Sequence, residues 1–161
     1  MQEVDYSSQR FFLSEESEKK LEDVNPQLAK VVRKAIAISD LEFQVLEGKR
    51  STQEHMAYYE KGITQVSDHS SHLYGYAVDL VALVDGRIVL EQEPYDDIVE
   101  CMKIAATELG VKLRWGGAPH WHDITTYNGF IEDLANDYVD QRRRFDKRPV
   151  IDVHHFELAL D

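Results

Sequence analysis

"SSHLYGYAVDLVALVDGRIVL", residues 70–90, decides how the chain folds. Val78, Leu80, Val81, Ala82, Leu83 and Val84 form an apolar run that predicts a strand over 74–84, and residues 86–91 predict a second one. Between them "VDGR" supplies the Asp-Gly dipeptide of a tight hairpin turn, so the two strands pair antiparallel. One residue resists. Asp79 stands inside the apolar run, where burial of an unpaired carboxylate costs several kcal/mol or more. An ion pair, a dense set of hydrogen bonds or a metal would each relieve that cost.

The segments on either side of the hairpin alternate between helical and extended patterns. "NPQLAKVVRKAIAISD" predicts a helix with Asn25 as its N-cap and Pro26 at its first position, burying Leu28, Val31, Val32, Ala35 and Ile36. Residues 41–48 alternate as a strand. The next helix carries a capping box, Ser51 with Glu54, and ends at Gly62; residues 63–71 read as a polar loop. After the hairpin, residues 93–110 predict a long helix with Ile98, Cys101, Met102, Ala105 and Leu109 inward and Gly110 at its end. A short strand (111–115), a loop (116–123), a helix over 126–145 and a last strand (154–160) complete the chain. Helices and strands mix around an antiparallel hairpin, so the class is α+β, a small antiparallel sheet packed with helices.

Composition bounds the function. The 161 residues suit one domain, 1–161, with a full hydrophobic core and no second domain. The single cysteine, Cys101, precludes an internal disulfide and lies on an apolar helix face, as a core residue and not a nucleophile. Neither a signal peptide nor an apolar run long enough to span a membrane is legible. With 18 basic against 30 acidic residues the net charge is −12, which argues against nucleic acid or an anionic membrane as partner. The basic run "QRRRFDKR" (141–148) reads as a solvated helix end whose charge suits the helix dipole.

Six of the seven histidines fall in three tight groups, each near an aspartate. His72 precedes the strand that carries Asp79, and a turn at Gly75 lets the two converge on one cation, although a His–Asp hydrogen bond satisfies them equally. In "DVHHFEL" (152–158), His155 and Glu157 share one strand face, with His154 and Phe156 on the other. His155 would complete a His/Asp/His set with the fourth tetrahedral position open to water, the mark of a catalytic zinc site, and Asp152 would take that water's proton. A hydrogen-bonded trio without metal is the rival reading. His69 is a solvated loop residue, His120 and His122 line the cleft or the surface, and His154 is structural.

"GKRS" (48–51), Ser70 through Leu80, "LRWGG" (113–117) and "DVHHFEL" occur in the order found in zinc peptidases that cut peptidoglycan stem peptides. The chain resembles the superfamily of vancomycin-resistance-type D,D-peptidases, and within it the L-alanyl-D-glutamate endopeptidases that serve as phage endolysins. The likeness covers roughly residues 14–161 and rests on several ordered motifs. It implies the hedgehog/D,D-peptidase fold and Zn²⁺ on His72, Asp79 and His155. It further implies Asp152 as general base, Arg50 as a substrate-binding residue that steadies the tetrahedral intermediate, and Ser70 as a substrate contact. The segment between "RWGG" and Asp152 is longer than in compact relatives. The expected function is hydrolysis of the L-Ala–D-Glu bond by a monomer. It would be made in the host cytoplasm and reach periplasmic peptidoglycan after a holin opens the membrane. A D,D- or L,D-carboxypeptidase of the same fold and a non-catalytic metal-stabilised wall-binding module are the alternatives.

Overall fold

The computed structural model describes residues 8–61 and 72–160. Its chain order is α1 (Glu15–Leu21), α2 (Pro26–Ile38), β1 (Glu42–Glu47), α3 (Thr52–Glu60), β2 (Ala77–Val84), β3 (Arg87–Val89) and α4 (Gln92–Leu109). β4 (Leu113–Trp115), a 3₁₀ turn (Ile124–Thr126), α5 (Ile131–Arg144) and β5 (His155–Leu158) follow. The hairpin forms where the Asp-Gly dipeptide places it, with Asp85 at φ 51° and Gly86 at φ 78°, the paired positive values of the turn that matches strand twist. β2 begins at Ala77 because residues 72–75 form a turn instead of the expected strand start.

α1 has no counterpart in the sequence reading. It is a short helix whose cap is Ser14, with Ser17 N–H donating to Ser14 Oγ at 3.1 Å. The helix expected over 126–145 is two elements, since Asn128-Gly129 separate the 3₁₀ turn from α5, and Ile131 N–H donates to Glu100 Oε1 at 2.9 Å. Where apolar periodicity is strong the elements match the reading closely: α2 buries Leu28, Val31, Val32, Ala35 and Ile36, and Gly110 (φ 67°) terminates α4.

The sheet runs β1-β2-β5-β4, with β3 paired to β2, and every pairing is antiparallel. Its two faces differ in chemistry. Phe43, Val45, Val78, Leu80, Leu113, Trp115, Phe156 and Leu158 belong to the buried core with α2 and α4; a large apolar side chain taken fully out of water contributes about 1.5–3 kcal/mol. Alternation then directs Asp79, Arg114, His155 and Glu157 to the opposite face. Register aligns them: Asp79 lies across from His155, and Arg114 from Glu157. A bulge between Val45 and Glu47 sets Glu47 opposite Asp79, so β1 also adds a carboxylate to this face.

Candidate metal centre

Three elements deliver three side chains to one point. Asp79 and His155 are cross-strand neighbours on β2 and β5, and His72 opens the turn that leads into β2. Gly75 closes that turn with φ 72°, and a Cβ there would meet the Asp23 carbonyl oxygen at 2.7 Å. The turn is thereby pressed against the α1–α2 junction, where Asn25 N–H donates to Gly75 O at 2.8 Å. One ligand atom from each of His72, Asp79 and His155 lies within 4.8 Å of the others, an arrangement no other group of acidic, histidine or cysteine side chains reproduces among the described residues.

The protonation pattern favours a cation there. Gly48 O lies 2.8 Å from His72 Nδ1, and a carbonyl only accepts, so the proton of the neutral ring sits on Nδ1. Its Nε2 lone pair then faces Asp79 Oδ1 at 3.3 Å, two electron-rich atoms in a buried site. His155 Nδ1 lies 3.1 Å from the same carboxylate oxygen, and His155 Nε2 lies 3.0 Å from Glu157 Oε1. Zinc bonds of about 2.0–2.1 Å at tetrahedral angles separate neighbouring ligand atoms by about 3.3 Å, so the His72–Asp79 and Asp79–His155 spacings fit such an ion. Two imidazoles and one carboxylate are also the donor set that leaves a coordination position for water.

Electrostatics couples the cluster. Burial works against the Asp79 carboxylate's charge, but the adjacent imidazoles of His155 and His72 prevail and hold its pKa well below the usual carboxylate range. Burial likewise opposes charge on His155, yet the hydrogen bonds to Asp79 and Glu157 and their charges carry its pKa up to about 10. A ring nitrogen with that affinity for a proton, set between carboxylates, also suits a metal cation.

Asp152 and Arg50 line the same cavity as the cluster. Asp152 is exposed and its Oδ1 accepts from His154 N–H at 3.2 Å. The backbone behind it is packed: a Cβ on Gly116 would come within 2.3 Å of Asp152 O. Arg50 is 8% exposed and donates through Nε and Nη2 to the two carboxylate oxygens of Glu47, the second at 2.9 Å, while its backbone N–H donates to His72 O at 3.0 Å. It is therefore a fixed, buried cation and not a surface arginine ahead of a helix cap. Ser70 and His69 lie outside the described residues.

Three other histidines stand apart from the cluster. His154 Nδ1 bonds to Leu80 O at 3.0 Å and its ring packs edge-on against Tyr95, as a structural residue. His120 Nε2 pairs with Asp137 at 3.0 Å, and neither His120 nor exposed His122 lines the cavity. In "HWHD" the buried member is Asp123, whose Oδ1 accepts from Leu113 N–H at 3.1 Å and from Thr125 N–H at 3.0 Å, tying the loop to β4. Cys101 packs against the core, and burial pushes its thiol up to about 11.

Sequence reasoning left Glu47, Gly48 O and Arg114 without roles and read Arg142 only as part of a solvated helix end. Glu47 had a signal, an opposite charge three residues before Arg50. A backbone carbonyl has none.

Residues 9–159 match the family model described as phage L-alanyl-D-glutamate peptidase. The chain is 30% identical over 135 residues to the L-alanyl-D-glutamate peptidase of Escherichia phage T5, covering 78% of this chain and 98% of that protein. Its fold is similar to that of the Serratia marcescens L-Ala D-Glu endopeptidase ChiX, with a TM-score of 0.68 and 28% identity. That superposition covers 94% of this chain and 91% of the other.

Proposed function

The chain belongs to the phage L-alanyl-D-glutamate peptidase family, and we propose that it is a zinc-dependent endolysin hydrolysing the L-Ala–D-Glu bond of peptidoglycan stem peptides. The observation that carries this reading is the convergence of His72, Asp79 and His155 to within 4.8 Å on the polar face of the sheet, in a cavity that also holds Asp152 and Arg50. Those three residues would hold the ion. Zinc, when bound there, supplies a Lewis acid that brings a water's pKa toward neutrality and polarises the scissile carbonyl.

The protein's own groups do the rest. Asp152, an exposed carboxylate at the cavity, accepts the attacking water's proton and returns it to the leaving amine of the glutamate. Arg50, clamped by Glu47, presents a fixed positive charge to the developing oxyanion. Ser70, two positions before His72 in the sequence, is a further substrate-binding candidate by the family motif. Among the described residues no helix is long and apolar enough to cross a membrane, and passage to the periplasmic wall depends on a holin.

A synthetic peptide containing the L-Ala–D-Glu bond tests the assignment of the base. Asp152→Asn should lower the hydrolysis rate by about 10²- to 10⁴-fold while zinc content and melting temperature stay at wild-type values. A variant that keeps the full rate removes Asp152 from the mechanism.

A further inference from the structure

The cavity at the metal cluster, about 530 Å³, has three arginines in its wall: Arg50, Arg114 and Arg142. Arg50 has a carboxylate partner in Glu47. The other two have none among the described residues, in a chain where acidic residues outnumber basic ones by 30 to 18. Each is gripped instead by a backbone carbonyl. Arg142 Nε and Nη2 donate to Arg148 O at 3.0 and 2.8 Å. Arg114 Nε donates to Pro119 O at 3.1 Å, and its Nη2 donates to the same oxygen. Two bonds to one carbonyl fix the plane of a guanidinium without neutralising it. Both residues are half-buried, so the fixed charge faces the cavity at reduced solvation.

This divides the basic run 141–148. Arg143 and Arg144 are exposed at the end of α5, as a solvated helix terminus would be. Arg142 departs from that reading, because the 145–151 segment folds back to place Arg148 O on its guanidinium and Val150 beside it in the cavity wall.

The substrate has a matching group. A glutamate residue continues a peptide through one of its two carboxyl groups, which leaves the other free and ionised on the residue whose amine forms the scissile bond. We propose that Arg142, with Arg114 in the same wall, binds that free carboxylate and so selects glutamate on the leaving side of the cut. The inference rests on the peptidase reading above and adds to it the residue that recognises the substrate's charge.

The test pairs a change in the enzyme with a change in the substrate. Two peptides are compared, one with the glutamate's free carboxylate and one with that group converted to a carboxamide. Zinc-loaded wild type, Arg142→Gln and Arg142→Lys are assayed on both. In wild type, amidation should lower kcat/KM about tenfold or more, mainly through KM, as expected for loss of a charge-assisted hydrogen bond. Arg142→Gln should lose a similar factor on the carboxylate peptide and be nearly indifferent to amidation, with Arg142→Lys recovering part of the loss. A merely structural Arg142 would lower both peptides equally and leave the amidation penalty intact, which overturns the proposal. Wild type that cuts both peptides at one rate overturns it too, while leaving the peptidase reading in place. Wild type that cuts neither removes that reading and this inference with it.

Discussion

Asp79 is the residue around which the site is organised. Its carboxylate interrupts an apolar strand, is largely buried, and has two imidazole nitrogens beside one oxygen, His155 Nδ1 at 3.1 Å and His72 Nε2 at 3.3 Å. The His155 contact relieves the conflict in part, and a dication bound at the cluster would relieve the rest, including the lone pair that His72 turns toward the carboxylate. His155 in turn depends on Glu157, whose carboxylate accepts from the ring nitrogen remote from Asp79. Such a contact fixes the ring's orientation and makes its other nitrogen a better donor to metal. Glu157→Gln should therefore weaken zinc binding by about 10- to 100-fold, read by competition with a chelating dye on the purified protein. Unchanged affinity would show that Glu157 does not orient His155. The convergence of His72, Asp79 and His155 was legible because spacing, strand parity and a chain of ordered motifs point to them, and the same motifs drew attention to Asp152, which lines the cavity. Glu47 and Arg142 were not, because their roles depend on a bulge and on a carbonyl brought back by a loop.

At the scale of elements, the β2–β5 pairing does most of the positioning, since it sets Asp79 opposite His155 in one register. A slip of β5 by one residue would turn His155 toward the core and away from Asp79. The hairpin, α2, α4 and β5 were readable from periodicity and turn chemistry. α1 was hidden because its single turn or two carry little apolar pattern, and the 126–145 boundary failed because Asn128-Gly129 break a helix that composition alone permits. α4 also carries a local cost unrelated to catalysis. Asp96 Oδ1 is buried without a hydrogen-bond partner among the described residues. Burial first, and then the charges of Glu132, Asp97, Glu100 and Glu93, raise its pKa from 3.8 to about 6. A carboxyl whose pKa is higher folded than unfolded makes the fold lose stability as pH rises from about 4 to about 6, with the full penalty remaining above that window. Asp96→Asn should accordingly melt higher than wild type at pH 7.5 and no differently at pH 4, by scanning calorimetry. A lower melting temperature at pH 7.5 would refute this.

Over the whole molecule, one face of the sheet is given to the core and the other to charge. Apolar alternation made the first face legible. The second is assembled from segments distant in sequence, β1 and its bulge, the 72–75 turn, β2, β4, β5 and the α5 region, so its partners emerge only in three dimensions. The carboxylates Asp79, Asp152 and Glu157 share a cavity with Arg50, Arg114 and Arg142, so the site is locally balanced although the chain as a whole carries −12. That balance suits a substrate with its own carboxylates better than the net charge suggests. If the His72–Asp79–His155 cluster works through a bound zinc ion to cut L-Ala–D-Glu, activity must follow the metal. The most direct test is mass spectrometry of peptides released from purified peptidoglycan by the metal-stripped protein, before and after zinc is restored. Nothing should be released without metal, and with zinc the products should be stem peptides bearing glutamate at a new free amino terminus. Release that survives metal removal, or loss of a terminal alanine alone, would contradict this reading.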